Sequence, residues 1–444
     1  MRIASILCEN LSTAKDQIAK ALPFCDAVEL RLDYLKKIDI AEIKKLRDTI
    51  ALPVIFTLRT KLQGGQCDMS KTDRLDIIQQ LTTLQPEYLD LEFDTPEEFV
   101  VALKKAHPAV QIIGSYHDFK QTPDDLEWLF QSVNKPYFDS VKIATTANCL
   151  CDTLRLLVFL QKVSQTHSII GMAMGEYGQA SRILAPVVGS LMSYGSVDEA
   201  SAAAPGQLTL QEMTEIYRMH LLNKDTRIYA LLGYPVTQSS GHLFHNKTFA
   251  QKNKNAVYVK LKLAPEELRE AISLLKQLPF ENFSVTMPHK ETVMNYLDEI
   301  QDDAKAMGAV NTIKVTDRKY MGFNTDGPAS VDVLQQKMDL KDKKILILGA
   351  GGAAKAIAYM LMTQGARITL CNRTLARAET VVQKQGGHAI DFPQLFALKA
   401  LPYDVILNTL PAEAFAEQCA NWKMPTASTQ NIAMDIVLKP LDTL

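Results

Sequence analysis

From the N-terminus to Ala200 the chain alternates short apolar runs with longer stretches whose apolar residues recur every three or four positions. The first pattern predicts strands and the second amphipathic helices. Strand-like runs fall at Ile3–Leu7, Ala27–Asp33, Pro53–Arg59, Tyr88–Phe93, Gln111–Asp118, Ser140–Thr145, Ile169–Met174 and Leu191–Gly195. Eight β/α units at intervals of roughly 25 residues predict an α/β fold, a (β/α)8 barrel near the short end of its size range. Barrel enzymes carry their chemistry at the C-terminal strand ends, and there the sequence places Glu29, Arg31, Arg59, Glu92, His117 and Lys142. Two arginines, a histidine and a lysine on one rim suit an anionic, carbonyl-bearing substrate.

A helical stretch, Leu210–Leu222, then leads into a polar hinge at Asn223–Thr226. A new β/α pattern follows, with strand-like runs at Ile228–Gly233, Val257–Leu263, Phe283–Thr286 and Asn311–Val315. A strongly apolar strand, Lys344–Gly349, runs straight into Ala350-Gly351-Gly352-Ala353-Ala354 and a helix. The expected organisation is therefore a barrel over 1–222, an α/β substrate domain over 226–335 and a Rossmann nucleotide-binding domain over 336–444.

Bulk properties narrow the function without naming it. The chain has 444 residues, too many for one core, and its net charge of -2 leaves no footprint for nucleic acid or an anionic membrane. The apolar start ends at Glu9, too soon for a signal peptide, and no run approaches the roughly 18 apolar residues of a spanning helix. A cytoplasmic location is the default expectation. Cys149 and Cys151, among seven scattered cysteines, match no zinc spacing, and no metal site is expected.

Two lysines stand out in different contexts. A buried lysine must find a partner or lose its proton, and the deprotonated amine is a nucleophile. Lys142, within Ser140–Ala144, is a candidate for imine formation with a substrate ketone, with His117 as general base. The plain alternative has Lys142 reach the barrel mouth and pair with Glu92. Lys290 closes Phe283–Lys290, where a strand breaks at a proline turn, and Asp326 follows in Asn324–Gly327. A surface salt bridge is the plain alternative for that pair. Gly349, Ala350, Gly351, Gly352 and Ala353 have the strand–turn–helix context of a dinucleotide phosphate turn. The next strand ends in Asn372, Arg373 and Thr374, which offer a cation and a hydroxyl rather than a carboxylate, so NADP(H) is expected over NAD.

Glu29-Leu-Arg31, Phe56–Arg59, His117 after Gly-Ser-Tyr, Lys142 in Val-Lys-Ile-Ala, Gly175–Arg182 and Pro205-Gly-Gln207 together resemble type I 3-dehydroquinate dehydratase. The resemblance implies that Lys142 forms the Schiff base and that His117 removes the C2 proton and returns it to the departing hydroxyl. It also implies that Arg182 holds the substrate carboxylate, with Glu29, Arg31, Arg59, Gln63 and Gln207 contacting hydroxyls or ordering the site. Gly233-Tyr-Pro-Val, Ser239 before His245-Asn246, Val285–Lys290, Ala309–Thr312 and Asn324–Gly327 resemble the substrate domain of shikimate dehydrogenase. There Lys290 and Asp326 are implied as the catalytic pair and Ser239, Thr286 and Asn311 as substrate contacts. Joined, the halves are expected to convert 3-dehydroquinate to 3-dehydroshikimate, and that to shikimate with NADPH.

Several positions depart from the family patterns. Gln63 stands where glutamate is usual, and Ala203 where serine is, so a functional but slower dehydratase is expected. In the second half Gly241, Ser284 and Leu438 replace the usual serine, asparagine and tyrosine. The chain stops at Leu444, before the Gly-x-x-Met-x-x-x-Gln stretch that the resemblance implies, so a C-terminally incomplete Rossmann domain with a water-open nicotinamide site is expected. Two alternatives stay open here. One is an active dehydratase fused to a weak or non-catalytic shikimate- or NADP-binding module, and the other is quinate-type specificity in the second half.

Overall fold

Burial on both faces of the first strands shows why the N-terminal half closes on itself, its inner face packed in the barrel and its outer face under helices. In the computed structural model, which describes residues 1–202, 204, 206–419 and 431–436, eight parallel strands follow one another. They are β1 (Arg2–Leu7), β2 (Ala27–Arg31), β3 (Val54–Thr57), β4 (Tyr88–Glu92), β5 (Gln111–His117), β6 (Ser140–Thr146), β7 (Ile169–Met174) and β8 (Ser193–Gly195). Their order is β7-β6-β5-β4-β3-β2-β1-β8. The N–H of Leu191 donating to the Ile169 carbonyl at 2.9 Å and that of Gly171 donating to the Ser190 hydroxyl at 3.0 Å close the gap between the ends. Ile3, Ala27, Ile55, Ile113, Ile170, Met192 and Tyr194 pack into one apolar cluster. One pleat further along, the same faces carry Ser5, Glu29, Thr57, Asp90, Ser115 and Lys142, all buried.

Local chemistry starts the outer helices. Asn10, Asp39, Ser70 and Asp125 each accept a backbone N–H from the first turn of the helix that they precede. The helix Leu150–Val163 is different, because its cap position, Cys149, makes no side-chain cap hydrogen bond. The expected helix Leu210–Leu222 is interrupted. It widens over Glu212–Ile216, and Arg218 takes a left-handed conformation (φ 48°) before a short turn at Met219–Leu221. Met213 and Tyr217 share one helical face, but Met219 does not, and burying all three forces the break.

By compactness the chain divides into two units, Met1–Leu231 with Ser240–Phe280, and Leu232–Ser239 with Glu281–Leu444. The barrel's unit therefore includes part of the second β/α pattern: the start of β9 (Arg227–Gly233), β10 (Ala256–Lys262) and the helix Leu268–Leu275.

The other unit holds β11 (Phe280–Val285), most of it beyond the division, then β12 (Glu299–Ile300), β13 (Thr312–Thr316) and β14 (Lys319–Phe323), in the order β11-β13-β14-β12. Asp317 and Arg318, both at positive φ, make the tight β13–β14 hairpin turn. A five-stranded parallel sheet follows, built from β15 (Lys344–Leu348), β16 (Arg367–Cys371), β17 (His388–Ile390), β18 (Val405–Asn408) and β19 (Ile432–Asp435). Its order, β17-β16-β15-β18-β19, reverses direction between β15 and β18, the crevice where Rossmann folds bind ligands. Ile345 and Ile347 pack with Ala354, Ile357 and Leu361 of the helix Gly352–Thr363, while Leu346 and Leu348 pack with Phe392 and Leu395. Ala203, Pro205 and Leu438 lie outside the described residues, as does the chain after Ile436. No helix among the described residues is long and apolar enough to cross a membrane.

Candidate active sites

The barrel mouth is an open cavity, and Glu29, Arg31, Arg59, Gln63, His117, Lys142, Arg182 and Gln207 all line it. Lys142, 4% exposed, projects from β6 and donates to Asp90 Oδ2 at 3.0 Å, with Glu29 Oε1 at 3.7 Å and the Tyr194 ring centroid 3.9 Å from Nζ. The expected alternative partner, Glu92, is not involved. Its carboxylate instead pairs with Arg74 (3.2 Å) and accepts from the backbone and hydroxyl of Thr60, because the chain turns back over it after β3.

Asp90 is the residue that sequence reasoning missed. Its oxygens receive Arg59 (2.9 Å), the Ser115 hydroxyl (2.6 Å) and Lys142. Burial alone raises the pKa of Asp90, but the charges of Arg59 and Lys142 and the Ser115 hydrogen bond outweigh it and hold the group well below the usual carboxylate range. The signal was present in strand alternation, since Asp90 lies two residues before Glu92 and so shares its face. Glu29 is held by the hydroxyls of Ser5 (3.0 Å) and Thr57 (2.9 Å), two further residues not anticipated. Arg31 forks onto Asp33 through two hydrogen bonds of 2.9 and 2.8 Å.

His117 ends β5 and its Nδ1 is buried with no hydrogen-bond partner. Burial first, then the charges of Arg59 and Lys142, push its pKa well below 6.5, so the ring is neutral at neutral pH. Gln63 does not touch that ring. Its Oε1 accepts the backbone N–H of His117 at 2.9 Å and so fixes the strand end. Among the described residues Arg182, 2% exposed, donates only to the Tyr194 carbonyl (3.2 Å) and the Met172 sulfur (3.5 Å), and its Nε has no partner. Burial pulls its pKa down to about 10. A buried guanidinium with no ion pair among the described residues is chemically suited to an anion.

The second cluster is more open. Lys290 Nζ donates to Asp326 Oδ2 at 2.6 Å, and the two side chains are 19% and 27% exposed. Asn311 Nδ2 donates to Asp326 Oδ1 at 2.7 Å and its Oδ1 accepts from Thr325 N at 3.0 Å. Asn324, not anticipated as a site residue, accepts from the backbone N–H groups of Asp326 and Gly327, which sets the start of the helix Asp326–Gln335. Thr286 N–H donates to the Leu232 carbonyl and Val285 N–H to that of Asn311, so Thr286 and Asn311 sit on adjoining backbone. Ser239 lies in the same unit, its N–H donating to the Val236 carbonyl at 3.2 Å.

The glycine turn stands beside this cluster. Gly349 has a positive φ of 112°, and a Cβ there would lie 2.4 Å from the Thr409 hydroxyl. A Cβ on Gly352 would lie 2.9 Å from Lys290 Cβ, so the turn and the lysine are neighbours, while one on Gly351 would meet nothing. Ala350 and Ala353 complete the turn into the helix Gly352–Thr363, whose first N–H groups have no side-chain cap. At the end of β16, Asn372 Nδ2 donates to the Thr374 carbonyl, and the exposed Arg373 is 3.9 Å from Glu417.

A family model described as type I 3-dehydroquinase matches residues 3–224. Models described as the shikimate dehydrogenase substrate binding domain and as shikimate/quinate 5-dehydrogenase match 231–313 and 332–438. The chain is 32% identical to the chloroplastic bifunctional 3-dehydroquinate dehydratase/shikimate dehydrogenase of Arabidopsis thaliana, over 88% of this chain and 68% of that protein. It is 31% identical to the shikimate biosynthesis protein AroDE of Chlamydia pneumoniae, over 99% of this chain and 88% of that protein. The solved dehydroquinate dehydratase and shikimate dehydrogenase from S. pombe AroM is 26% identical, covering 99% of this chain and 89% of that one with a TM-score of 0.43. With one matched half carrying a lysine in a barrel cavity and the other a Lys–Asp pair beside a glycine turn, the chain belongs to the bifunctional 3-dehydroquinate dehydratase/shikimate dehydrogenase family.

Proposed function

We propose that the cavity of the barrel dehydrates 3-dehydroquinate through an imine on Lys142, and that Lys290 and Asp326 assist NADPH-dependent reduction of the product to shikimate. The observation that carries the first part is the juxtaposition of a buried lysine, a neutral buried histidine and a buried guanidinium with no ion pair among the described residues, all in one cavity. Arg182 takes the ring carboxylate and orients the ketone toward Lys142. Attack by Nζ on the carbonyl carbon, with loss of water, forms an iminium that withdraws electrons from the neighbouring C–H bond. His117 accepts that proton, and the resulting enamine expels the hydroxyl, which leaves as water with the proton from His117. Hydrolysis of the imine then frees Lys142. Asp90 holds the amine against Arg59 between turnovers.

In the second unit, the residues present fit a dinucleotide. The uncapped helix start at Gly352 and the open space at Gly351 suit a pyrophosphate, and exposed Arg373 suits a 2′-phosphate, which supports NADP(H). When bound, NADPH supplies the hydride. Lys290 and Asp326 hold the substrate hydroxyl and pass a proton to the ketone oxygen, Asn311 keeps Asp326 in place, and Ser239 and Thr286 contact the substrate.

Borohydride added during turnover of 3-dehydroquinate tests the first assignment. A stable adduct on the peptide containing Lys142 is expected, and an adduct elsewhere, or none with an active enzyme, overturns it. For the second, Lys290→Ala is expected to stop NADPH loss with 3-dehydroshikimate, and undiminished turnover overturns the pair's role.

A further inference from the structure

Part of the matched shikimate dehydrogenase region grips the dehydratase site. Residues 240–280 belong to the same compact unit as the barrel, although the dehydratase family match ends at residue 224. Two contacts fall on the loops that carry the chemistry. The first is at the start of the helix Leu150–Val163, which follows the Lys142 strand. Its cap position, Cys149, makes no side-chain cap hydrogen bond, and Glu267 supplies an acceptor for the first N–H groups. Glu267 Oε1 accepts from Leu150 N (2.7 Å) and Cys151 N (3.3 Å), while Oε2 accepts from Ala264 N (2.9 Å). A carboxylate there satisfies orphan N–H groups and meets the positive end of the helix dipole.

The second contact is on the loop after β7, Gly175–Gly178, which leads into the helix Gln179–Leu184 bearing Arg182. Lys262, at the end of β10, pairs with Glu176 at 2.6 Å and lies over the Tyr177 ring at 4.9 Å. On the cavity side the same loop supports Gly206, whose Cβ position is 2.2 Å from the Gly175 carbonyl, and Gly206 precedes the cavity residue Gln207. Between the two contacts, the Thr153 hydroxyl donates to the Tyr177 carbonyl at 2.9 Å and joins the loops. The burial pattern agrees. Leu154, Leu156, Leu157 and Phe159 are all buried, on more than one face of their helix, and the helix Leu268–Leu275 packs against it with Leu268, Ala271, Ile272 and Leu275 buried.

We propose that Lys262 and Glu267 are positioning residues for the dehydratase, so that a segment of the matched dehydrogenase substrate domain is a working part of the barrel site. This rests on the dehydratase reading above. They act through the Arg182 loop and the Lys142 strand end, not on the substrate.

The test uses the full chain carrying Lys262→Ala with Glu267→Gln, alongside Lys262→Arg. Dehydration of 3-dehydroquinate and amide hydrogen exchange over residues 149–182 are both measured. The double variant is expected to raise KM about fivefold to tenfold, with kcat within about twofold, since a lost cap and a partly buried ion pair loosen a binding loop without removing a reacting group. Faster exchange at 149–151 and 175–182 accompanies it, and Lys262→Arg restores most of both. Unchanged KM and exchange overturn the proposal. So does a loss of kcat, with faster exchange spread over the whole barrel, which marks general destabilisation. A wild-type chain that fails to dehydrate 3-dehydroquinate sinks the dehydratase reading instead, and the exchange comparison still decides whether the segment holds these loops.

Discussion

The two lysines sit in opposite environments. Lys142 is 4% exposed within a network of two cations and two carboxylates, whereas the Lys290 side chain is 19% exposed beside a single aspartate. The difference follows from the chemistry proposed for each. A covalent imine needs an amine held away from water, where a neighbouring base stays neutral and charges act at full strength. A proton handed to a ketone oxygen needs only a positioned donor at the edge of a cleft. The deep site must therefore satisfy its charges with fixed partners such as Asp90, Ser115 and Thr57, and the open site can leave more of that task to solvent.

The largest effect that would break this comparison is cross-talk between the sites. Lys142→Ala is expected to lower dehydration at least about a thousandfold while reduction of 3-dehydroshikimate stays within about twofold. Loss of both activities in a folded variant would mean that the sites are not separate.

Removal of one carboxylate from each site sharpens the contrast in burial. Asp90→Asn leaves Arg59 buried without its countercharge and Lys142 with only the more distant Glu29, and is expected to lower stability by about 3 kcal/mol in urea unfolding. Asp326→Asn, in a half-open site, is expected to change stability by less than about 1 kcal/mol while slowing reduction about a hundredfold. Equal stability losses would show that burial does not separate the sites.

Arg373→Ala tests the cofactor choice in the open unit. A drop of about tenfold in the preference for NADPH over NADH is expected, and an unchanged ratio would locate the 2′-phosphate contact elsewhere.

A smaller effect follows from His117. Its pKa is depressed in the folded chain, so below pH 6.5 the unfolded chain binds a proton that the native state does not. Stability is fully present above pH 6.5 and falls as pH drops toward the depressed value, by at most about 1.4 kcal/mol per pH unit. Unfolding curves of wild type and His117→Gln between pH 5 and 7 would check this, the slope being shallower in the variant.

The sequence made the cavity legible, because Arg31 and His117 end their strands, Arg59 follows the third, Glu29 and Lys142 lie further inside theirs, and all five line one cavity. The plain alternative named Glu92 as the partner of Lys142, and the structure gives Asp90 instead. Glu92 and Asp90 share a face of β4, and only the three-dimensional path of Thr60 and Arg74 shows that Glu92 is already engaged. The break at Arg218 was illegible for a similar reason, since it serves the burial of Met219 and not local propensity.

Short-range rules were enough for the barrel and the glycine turn after β15, since periodicity and turn chemistry act over a few residues. Which carboxylate meets Lys142, which glutamate caps the helix after it, and which lysine steadies the Arg182 loop were decided by tertiary structure. Asp90 lies 52 residues from Lys142, and Glu267 lies 117 from Leu150. A charge buried at a strand end takes whatever partner packing brings within reach, and no local pattern encodes that distance.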